Sequence, residues 1–180
     1  MRVWRICPKR FAANALEGLG GLGGLGGLQV FGRWHRMGHQ IVYTSSFASL
    51  AALEVLVHVD PLTAPDDLRL LAIEVPDSVA IETVDTKKLP KNWRAFPAPA
   101  SLQALGTAWL KSARTACLSV PSAIIHTERH LLLNPRHPDM KRVKVVENIP
   151  FSFDPRLGVF GILTPPRKAA PIRTTRSHRA

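Results

Sequence analysis

The sequence predicts an α+β domain in which helices flank a central sheet of mixed and antiparallel strands. Several short segments have the β-branched and aromatic composition of strands, and two longer segments have the composition or periodicity of helices. They do not alternate regularly, as the elements of a doubly wound parallel sheet would. With 180 residues, of which 46% are hydrophobic, the chain is long enough for one domain with a substantial core.

Turn-forming residues separate the predicted strands. Pro76 and Asp77 form a turn between two of them, and Pro121 with Ser122 interrupts another. The strands are predicted over residues 3–6, 41–45, 68–75, 79–84, 117–120, 123–125, 131–133 and 143–147.

Two helices are predicted, over residues 46–58 and 101–112. Ser101 is the expected N-cap of the second helix, in which Leu102, Leu105 and Trp109 recur at helical spacing. The first helix is apolar around almost its whole circumference, so we expect it to be buried on most sides.

Glu54 and His58 interrupt this apolar helix, four residues apart. A buried carboxylate is costly unless it is paired and hydrogen-bonded. Two interpretations remain open. Either Glu54 forms a structural pair with the histidine or a bond to a backbone turn, or the helix lines a pocket into which the carboxylate points.

The predicted domain spans residues 1–157, and a basic, proline-rich tail follows at residues 158–180. The tail lacks an apolar period, so we expect it to be disordered. Within the domain, residues 18–28 form a Gly/Leu-rich segment with no strand directly before it, which argues against a dinucleotide fingerprint. The expected structure of this segment is a flexible surface insertion.

Composition excludes several classes of protein. No run of about 18 or more apolar residues is present, so no membrane span is expected, and the charged N-terminus does not resemble a secretory signal. Two cysteines provide neither a disulfide framework nor a metal cluster and fit a cytoplasmic protein. The net charge of +11 leaves open a basic nucleic-acid-binding module without catalysis, although the interleaved aromatic residues of a base-stacking surface are missing.

Three residues that precede or begin the first helix suggest a ligand site. Arg33 follows a glycine and offers a rigid fork of donors for phosphate or carboxylate. Tyr43 can stack on a flat heteroaromatic ring, and Ser45 lies where free N–H groups of the helix favour an anion. Taken singly, a surface salt bridge for Arg33 and a core position for Tyr43 explain them as well. Together with Glu54 they fit a ligand that carries a phosphate and an aromatic ring.

The chain resembles the RES domain family, the toxin component of Xre–RES toxin–antitoxin systems. The resemblance covers nearly all of residues 3–157, in segments that follow the order typical of the family. These segments are WRI (4–6), FGRWHRMG (31–38), VYTS (42–45), ALEVLVH (52–58), LPKNWR (89–94), LGTAWL (105–110), VPSAII (120–125), LLNPRHPD (132–139) and PFSFDPRL (150–157).

The resemblance implies roles for individual residues. Arg33, Glu54 and Ser122 match the arginine, glutamate and serine for which the family is named, and Tyr43 matches a tyrosine of the same pocket. The implied catalytic residues are Glu54, Arg33, Tyr43 and Ser122, and the implied cofactor-binding residues are Arg5, Arg33, Tyr43 and Asn134. Ser45, at the expected helix start, is added to the predicted cofactor-binding residues.

The resemblance also implies an ADP-ribosyltransferase-like fold and NAD+ as the substrate, without a metal. NAD+ would be consumed by cleavage of the nicotinamide–ribose bond, with either degradation of NAD+ or transfer of ADP-ribose to a protein target. The implied partner is a cognate Xre-type helix-turn-helix antitoxin that blocks the pocket. This chain departs from the family pattern at His35, where the residue after GRW is usually Asn, and in its Gly/Leu repeat and basic tail.

A single carboxylate suits this chemistry. Cleavage of the bond develops oxocarbenium character on the ribose, which Glu54 would stabilise, and nicotinamide leaves without a strong general acid. Ser122 lacks the GxSxG context of a nucleophile. Its hydroxyl would bond the ribose, fix Glu54, or bond the local backbone of a turn. A non-catalytic, partner-binding relic of the fold is a further alternative, which the intact Arg–Tyr–Glu–Ser set disfavours.

Overall fold

A seven-stranded sheet forms the centre of the protein in the computed structural model, which describes residues 1–13, 15, 21–58 and 65–158. The strand order is β4-β5-β6-β2-β1-β3-β7. Neighbouring strands are antiparallel except for the parallel pair β4 and β5, which confirms the predicted α+β class with a mixed sheet. The strands are β1 (Arg2–Pro8), β2 (Val42–Ser45), β3 (Leu68–Glu74), β4 (Ile81–Thr83), β5 (Cys117–Pro121), β6 (Arg129–Leu133) and β7 (Lys144–Pro150).

Among the described residues, four helices accompany the sheet: α1 (Lys9–Ala12), α2 (Gly26–Gln29), α3 (Ala48–Leu56) and α4 (Ala100–Ser112). Short 3-10 turns lie at Thr86–Lys88, Pro138–Arg142 and Pro155–Gly158. The expected N-cap Ser101 is wrong, because α4 already begins at Ala100 and Pro99 occupies the cap position. Proline suits a helix start because its fixed φ is compatible with the chain entering the first turn.

One predicted strand, residues 123–125, is a turn in the structure. The N–H groups of Ile124 and Ile125 both donate to Oγ of Ser122, each at 3.1 Å. Because these N–H groups are bound to a side chain, they are not available for a sheet ladder. The apolar composition of this segment therefore does not lead to a strand.

The pleat of the sheet separates two sets of side chains. Val3, Val42 and Leu133 belong to a core on one face, together with Leu71 and Ile73. On the other face, α4 covers one end of the sheet through a core containing Trp109, Leu118, Val120 and Leu132. A smaller core on that face joins Ala51 of α3 to Ile6, Leu68 and Leu70 of β1 and β3.

Helix α3 is less buried than its composition predicts. Only Leu50 and Ala51 within it are buried, and the flanking Phe47 and Val57 are 55% and 54% exposed. The helix packs on the sheet through one side, and the described part of the chain leaves its remaining apolar side chains partly open. Hydrophobicity shows which side chains gain from burial, but it does not show how many sides of a helix are covered.

The described part of the Gly/Leu-rich segment packs against the domain. Leu22 and Gly27 are buried, and the carbonyl of Gly24 accepts a hydrogen bond from the N–H of Ile41. Gly24 has a φ of +63°, and a Cβ there would lie 2.6 Å from the nitrogen of Ile41. From Gly21 onward this segment is therefore an integrated part of the fold rather than a loose insertion.

Residues 18–20 of that segment lie outside the described residues, as does the predicted tail 158–180 apart from Gly158. None of the described helices is both long and apolar enough to cross a membrane.

Gly106 allows α4 to approach the segment that carries Arg33. A Cβ at this position would overlap the carbonyl oxygen of Trp34, which belongs to a residue only 1% exposed. Replacing glycine by alanine inside a helix should by itself stabilise by roughly 1 kcal/mol. We predict that Gly106→Ala instead destabilises the protein by roughly 1–3 kcal/mol, because backbone has to move to relieve the overlap.

The measurement is urea-induced unfolding of the wild type and Gly106→Ala. Ala108→Gly, at an exposed position of the same helix, measures the helix-propensity contribution alone. A Gly106→Ala protein as stable as the wild type, or more stable, would show that the close approach is not a constraint.

Candidate active site

The hydroxyl group of Tyr43 holds the segment that contains Arg33. The N–H of Trp34 donates to this hydroxyl at 3.1 Å, and Nδ1 of His35 lies 2.9 Å from it. Nε2 of His35 is 3.0 Å from the carbonyl oxygen of Val30, which can only accept. Nε2 therefore carries the hydrogen, and Nδ1 accepts from the Tyr43 hydroxyl. Gly32 completes the fit, since a Cβ there would lie 2.7 Å from Oη of Tyr43.

Burial governs the electrostatics of this tyrosine. Burial raises the pKa of Tyr43 well above its ordinary value. The Glu54 carboxylate raises this pKa further, whereas the hydrogen bond from Trp34 and the Arg33 guanidinium lower it. The phenol is therefore neutral. Because the hydroxyl of Tyr43 is already bonded to Trp34 and His35, the ring is the part of this side chain that remains available to a ligand.

Arg33 is half-buried and anchored to a loop. Its Nη1 donates to the carbonyl oxygens of Trp93 at 2.7 Å and of Ala95 at 3.1 Å. Burial lowers the pKa of Arg33; the negative charge of the Glu54 carboxylate opposes that shift, with a smaller electrostatic effect from the Tyr43 side chain. Arg33, Tyr43 and Glu54 are thus close enough to influence one another electrostatically, although they come from three different parts of the chain.

Glu54 is bound by a histidine that the sequence did not reveal. Its Oε1 lies 2.7 Å from Nε2 of His130, whose side chain is 8% exposed, and the Glu54 side chain is 33% exposed. A structural pair with His58, one of the interpretations that the sequence left open, is not formed, because His58 is exposed and Glu54 turns toward the sheet instead. One signal was present: His130 alternates with Leu132 and so occupies a position that should face the core.

Ser45 supports this histidine from the opposite side. Its hydroxyl is 3.1 Å from Nδ1 of His130, and the residue is only 3% exposed. The expected helix start at Ser45 or Ser46 is wrong, because α3 begins at Ala48 and Phe47 occupies the cap position. Ser45 is therefore part of β2, where it contacts a side chain of the neighbouring strand.

Ser122 and Asn134 are buried and bonded to local groups. Ser122 is fully buried, and its hydroxyl binds the turn described above. Asn134 donates from Nδ2 to the carbonyl of Leu110 and accepts the N–H of Arg136 at Oδ1. Asn134 follows the end of β6 opposite to that of His130, about 13 Å along the strand. The structure does not bring Asn134 to the carboxylate of Glu54.

Arg5 lies where β1 and β2 separate. The two strands share the single pair Trp4–Ser45, and beyond it Nη1 of Arg5 donates to the carbonyl of Tyr43 at 3.2 Å. Nε of Arg5 is buried and forms no hydrogen bond within the described residues. Arg5 and Arg10 line a cleft of about 240 Å³ whose wall is the glycine-rich segment from Gly21 to Gly26. Arg5 thus touches the backbone of the site while part of its side chain faces this cleft.

Comparison with known proteins shows the same family over almost the whole described chain. Residues 2–154 match the family model described as the RES domain. A protein of Yersinia enterocolitica named Toxin Res is 38% identical over 158 residues, which cover 87% of this chain and 99% of the relative. A protein of Sphingobium sp. named Prs ADP-ribosylating toxin is 41% identical, over 70% of this chain and 80% of the relative.

A solved structure has the same fold. It is a chain of the M. tuberculosis MbcT–MbcA toxin–antitoxin complex, with a TM-score of 0.65 over 88% of this chain and 86% of that chain. The sequence identity is 17%, so this likeness concerns the fold alone.

His35 makes the stability of the site dependent on pH. Burial lowers the pKa of His35 below its ordinary value of 6.5, and nearby His39 lowers this pKa further. The hydrogen bond to the carbonyl of Val30 raises it and so offsets part of the shift. The unfolded chain therefore binds the proton more tightly than the folded one. We predict that this contribution to stability is complete above pH 6.5 and is lost progressively as the pH falls toward the lower pKa of the folded state.

The measurement is the free energy of unfolding of the wild type and of His35→Asn between pH 5 and pH 8, a range that brackets the ordinary titration of histidine (about 6.5). The amide oxygen of Asn can accept from the Tyr43 hydroxyl and does not titrate. The free energy of unfolding of the wild type minus that of His35→Asn should therefore decrease as the pH falls. A difference that is constant across the range would contradict the prediction.

Proposed function

The chain belongs to the RES domain family, and from this membership and the grouping of Arg33, Tyr43 and Glu54 we propose that it is a toxin that consumes NAD+. The relatives named Toxin Res and Prs ADP-ribosylating toxin support the proposal. The observation that carries it is Glu54, a partly exposed carboxylate held by His130 within electrostatic range of a guanidinium and a phenol ring.

Glu54 has the properties that cleavage of the nicotinamide–ribose bond requires. As this bond lengthens, positive charge develops on the anomeric carbon and the ring oxygen of the ribose. Oε1 of Glu54 is bound to His130, so Oε2 is the oxygen available to face that charge. The bonding electrons leave with nicotinamide, which departs as a neutral molecule and needs no proton from the enzyme. Water, phosphate or a protein side chain then takes the anomeric position.

Arg33 and Tyr43 would bind the rest of the dinucleotide. Nη1 of Arg33 is occupied by two backbone carbonyls, whereas Nε and Nη2 form no hydrogen bond within the described part of the chain. These two atoms form the edge of the guanidinium that can bind a diphosphate in a bidentate manner. Because the hydroxyl of Tyr43 is engaged, its ring face would stack on the nicotinamide.

The remaining candidates have supporting roles in this proposal. The bonds formed by Ser45, Ser122 and Asn134 favour positions behind the site rather than contact with the dinucleotide. Arg5 would act on the backbone of β2 or on a phosphate that reaches the cleft beside it. No metal enters the proposed reaction.

The proposed partner is a cognate Xre-type helix-turn-helix antitoxin that covers the site. A structural neighbour comes from a toxin–antitoxin complex, and the family resemblance suggests the antitoxin class. Because the proposed substrate is NAD+, the proposed location of the activity is the cytoplasm. The reaction has two forms, degradation of NAD+ and transfer of ADP-ribose to a protein, and the name of the Sphingobium relative favours the second.

Two labels distinguish these forms. NAD+ labelled in the nicotinamide reports bond cleavage, and NAD+ labelled in the adenosine reports where ADP-ribose goes. Incubation of the purified protein with a cell extract should release labelled nicotinamide. Label in a protein band supports transfer, and label only in small molecules supports degradation. If no nicotinamide is released in buffer, with phosphate or with extract, the proposed function is wrong.

We predict that Glu54→Gln abolishes nicotinamide release and leaves the fold intact. Glutamine has the same shape and its Oε1 can still accept from His130, but it lacks the negative charge that faces the ribose. The expected loss is at least about 100-fold, the size typical of removing one electrostatic stabiliser. The measurement is initial-rate release of nicotinamide, with circular dichroism to verify folding.

Glu74→Gln is the matched control, because Glu74 is exposed at the end of β3. It should release nicotinamide at the wild-type rate. Equal rates for Glu54→Gln and Glu74→Gln would remove Glu54 from the reaction.

We predict that Arg33→Lys raises the KM for NAD+ by about tenfold or more. An ammonium group is a point charge and cannot replace a bidentate fork, a loss worth about 1.4 kcal/mol or more. Lysine would also lose the hydrogen bond to at least one of the carbonyl oxygens of Trp93 and Ala95. Arg36→Lys, on the exposed neighbouring turn, is the control. An unchanged KM in Arg33→Lys would argue against a diphosphate contact.

A further inference from the structure

Three side chains from three elements form one hydrogen-bonded chain behind the proposed site. Ser45 of β2 contacts Nδ1 of His130 at 3.1 Å, and Nε2 of His130 contacts Oε1 of Glu54 at 2.7 Å. Ser45 and His130 are 3% and 7% exposed, whereas the side chain of Glu54 is 33% exposed. The order runs from a buried hydroxyl, through a buried imidazole, to a carboxylate that reaches the surface.

We propose that His130 is a positioning residue that fixes the carboxylate of Glu54 for cleavage of the nicotinamide–ribose bond. This inference rests on the function proposed above. It assigns to His130 a role that acts through Glu54, without contact between the imidazole and the substrate.

The sheet fixes the position of the imidazole. In the antiparallel pair β2–β6, Ser45 is directly opposite His130, so both side chains lie on the same face of the sheet. The backbone N–H and the hydroxyl of Ser46 both bond to the carbonyl of Arg129, which secures the register at the end of the two strands. On its other side β6 pairs with β5, where His130 is opposite Val120. His130 is thus held by two neighbouring strands.

The direction of the hydrogen bonds follows from the chemistry of the groups. An ionised carboxylate only accepts, so Nε2 of His130 donates to Glu54. In the neutral ring, Nδ1 then accepts from the Ser45 hydroxyl. In the charged ring, Nδ1–H donates to the Ser45 oxygen instead. The hydroxyl can serve either way, so the bond that holds Glu54 persists in both states of the ring.

Glu54 needs such a partner because its side chain is long and its helix is only partly buried. Within α3, only Leu50 and Ala51 are buried, and both precede the turn that carries Glu54. A free glutamate side chain on this turn would sample several rotamers. The bond at Oε1 selects one of them and leaves Oε2 for the substrate.

The same order of groups occurs in serine hydrolases, but Ser45 is not a nucleophile here. It lies at the end of a central strand with 3% of its surface exposed, so a substrate carbonyl has no access to its Oγ. Glu54 is the member of the chain that reaches solvent, which places the reactive end at the carboxylate. The structure therefore favours positioning of Glu54 over activation of Ser45.

The test compares His130→Leu with His130→Gln. Leucine fills a similar volume and forms no hydrogen bond, whereas the amide nitrogen of glutamine can take the place of Nε2 and donate to Glu54. We expect His130→Leu to lower the kcat for nicotinamide release by about 100-fold with little change in KM, as misplacement of a reacting group does. His130→Gln should recover most of the kcat.

The corresponding substitutions at exposed His126 are the matched controls and should leave kcat unchanged. Unfolding midpoints of all four variants separate loss of activity from loss of fold. Wild-type kcat in His130→Leu, or an equal loss of kcat in a folded His130→Gln, would overturn the positioning role.

Nuclear magnetic resonance tests the contact independently of activity. The Nε2–H proton of His130 should be shifted downfield by the carboxylate, and it should move upfield in Glu54→Gln. An identical resonance in the two proteins would show that the contact is not formed. If the wild type shows the expected resonance but releases no nicotinamide, the proposed function is wrong, and with it the role of His130. The contact between His130 and Glu54 would still be confirmed. An active wild type with an active His130→Leu would overturn only the positioning role.

Discussion

The candidate site depends on the register of the four-residue strand β2. Tyr43 and Ser45 point to the same face of the sheet because they are two residues apart. The hydroxyl of Tyr43 holds the segment of Arg33, and Ser45 holds His130, which in turn holds Glu54. A slip of one residue in the pairing of β2 with β6 would turn both side chains to the opposite face and disperse these groups.

The elements of the sheet are predictable from the sequence because strand composition is local. Residues 41–45 and 68–75 were expected as strands, and β2 and β3 occupy almost those positions. The pairing of the strands is not local. His130 meets Glu54 across 76 residues, and nothing in the sequence near either residue specifies that β6 lies beside β2. A nearer histidine, His58, was therefore the more obvious partner, and the structure shows that it is exposed.

Helix α3 shows a second limit of sequence-based prediction. Its composition correctly indicated a helix, but the extent of burial was overestimated, since Phe47 and Val57 beside it are more than half exposed. The grouping of Arg33, Tyr43 and Glu54 was predicted from the ligands that their side chains suit and from the family resemblance, not from periodicity. Spacing along the chain could not place Arg33 within electrostatic range of Glu54, because this proximity depends on the bond by which Tyr43 holds the backbone of Trp34.

The choice of partner for Glu54 has a consequence for the proposed chemistry. Arg33 is within electrostatic range of this carboxylate, yet its Nη1 is committed to the carbonyls of Trp93 and Ala95, and the ion pairs of the described residues do not join the two. A bidentate arginine would cancel much of the negative charge that an oxocarbenium ion needs nearby. An imidazole N–H can orient a carboxylate through one oxygen without necessarily carrying a full charge. In the proposed reaction, two tasks are thus divided: arginine would bind the anionic part of the ligand, and histidine would hold the carboxylate whose charge remains available to the ribose.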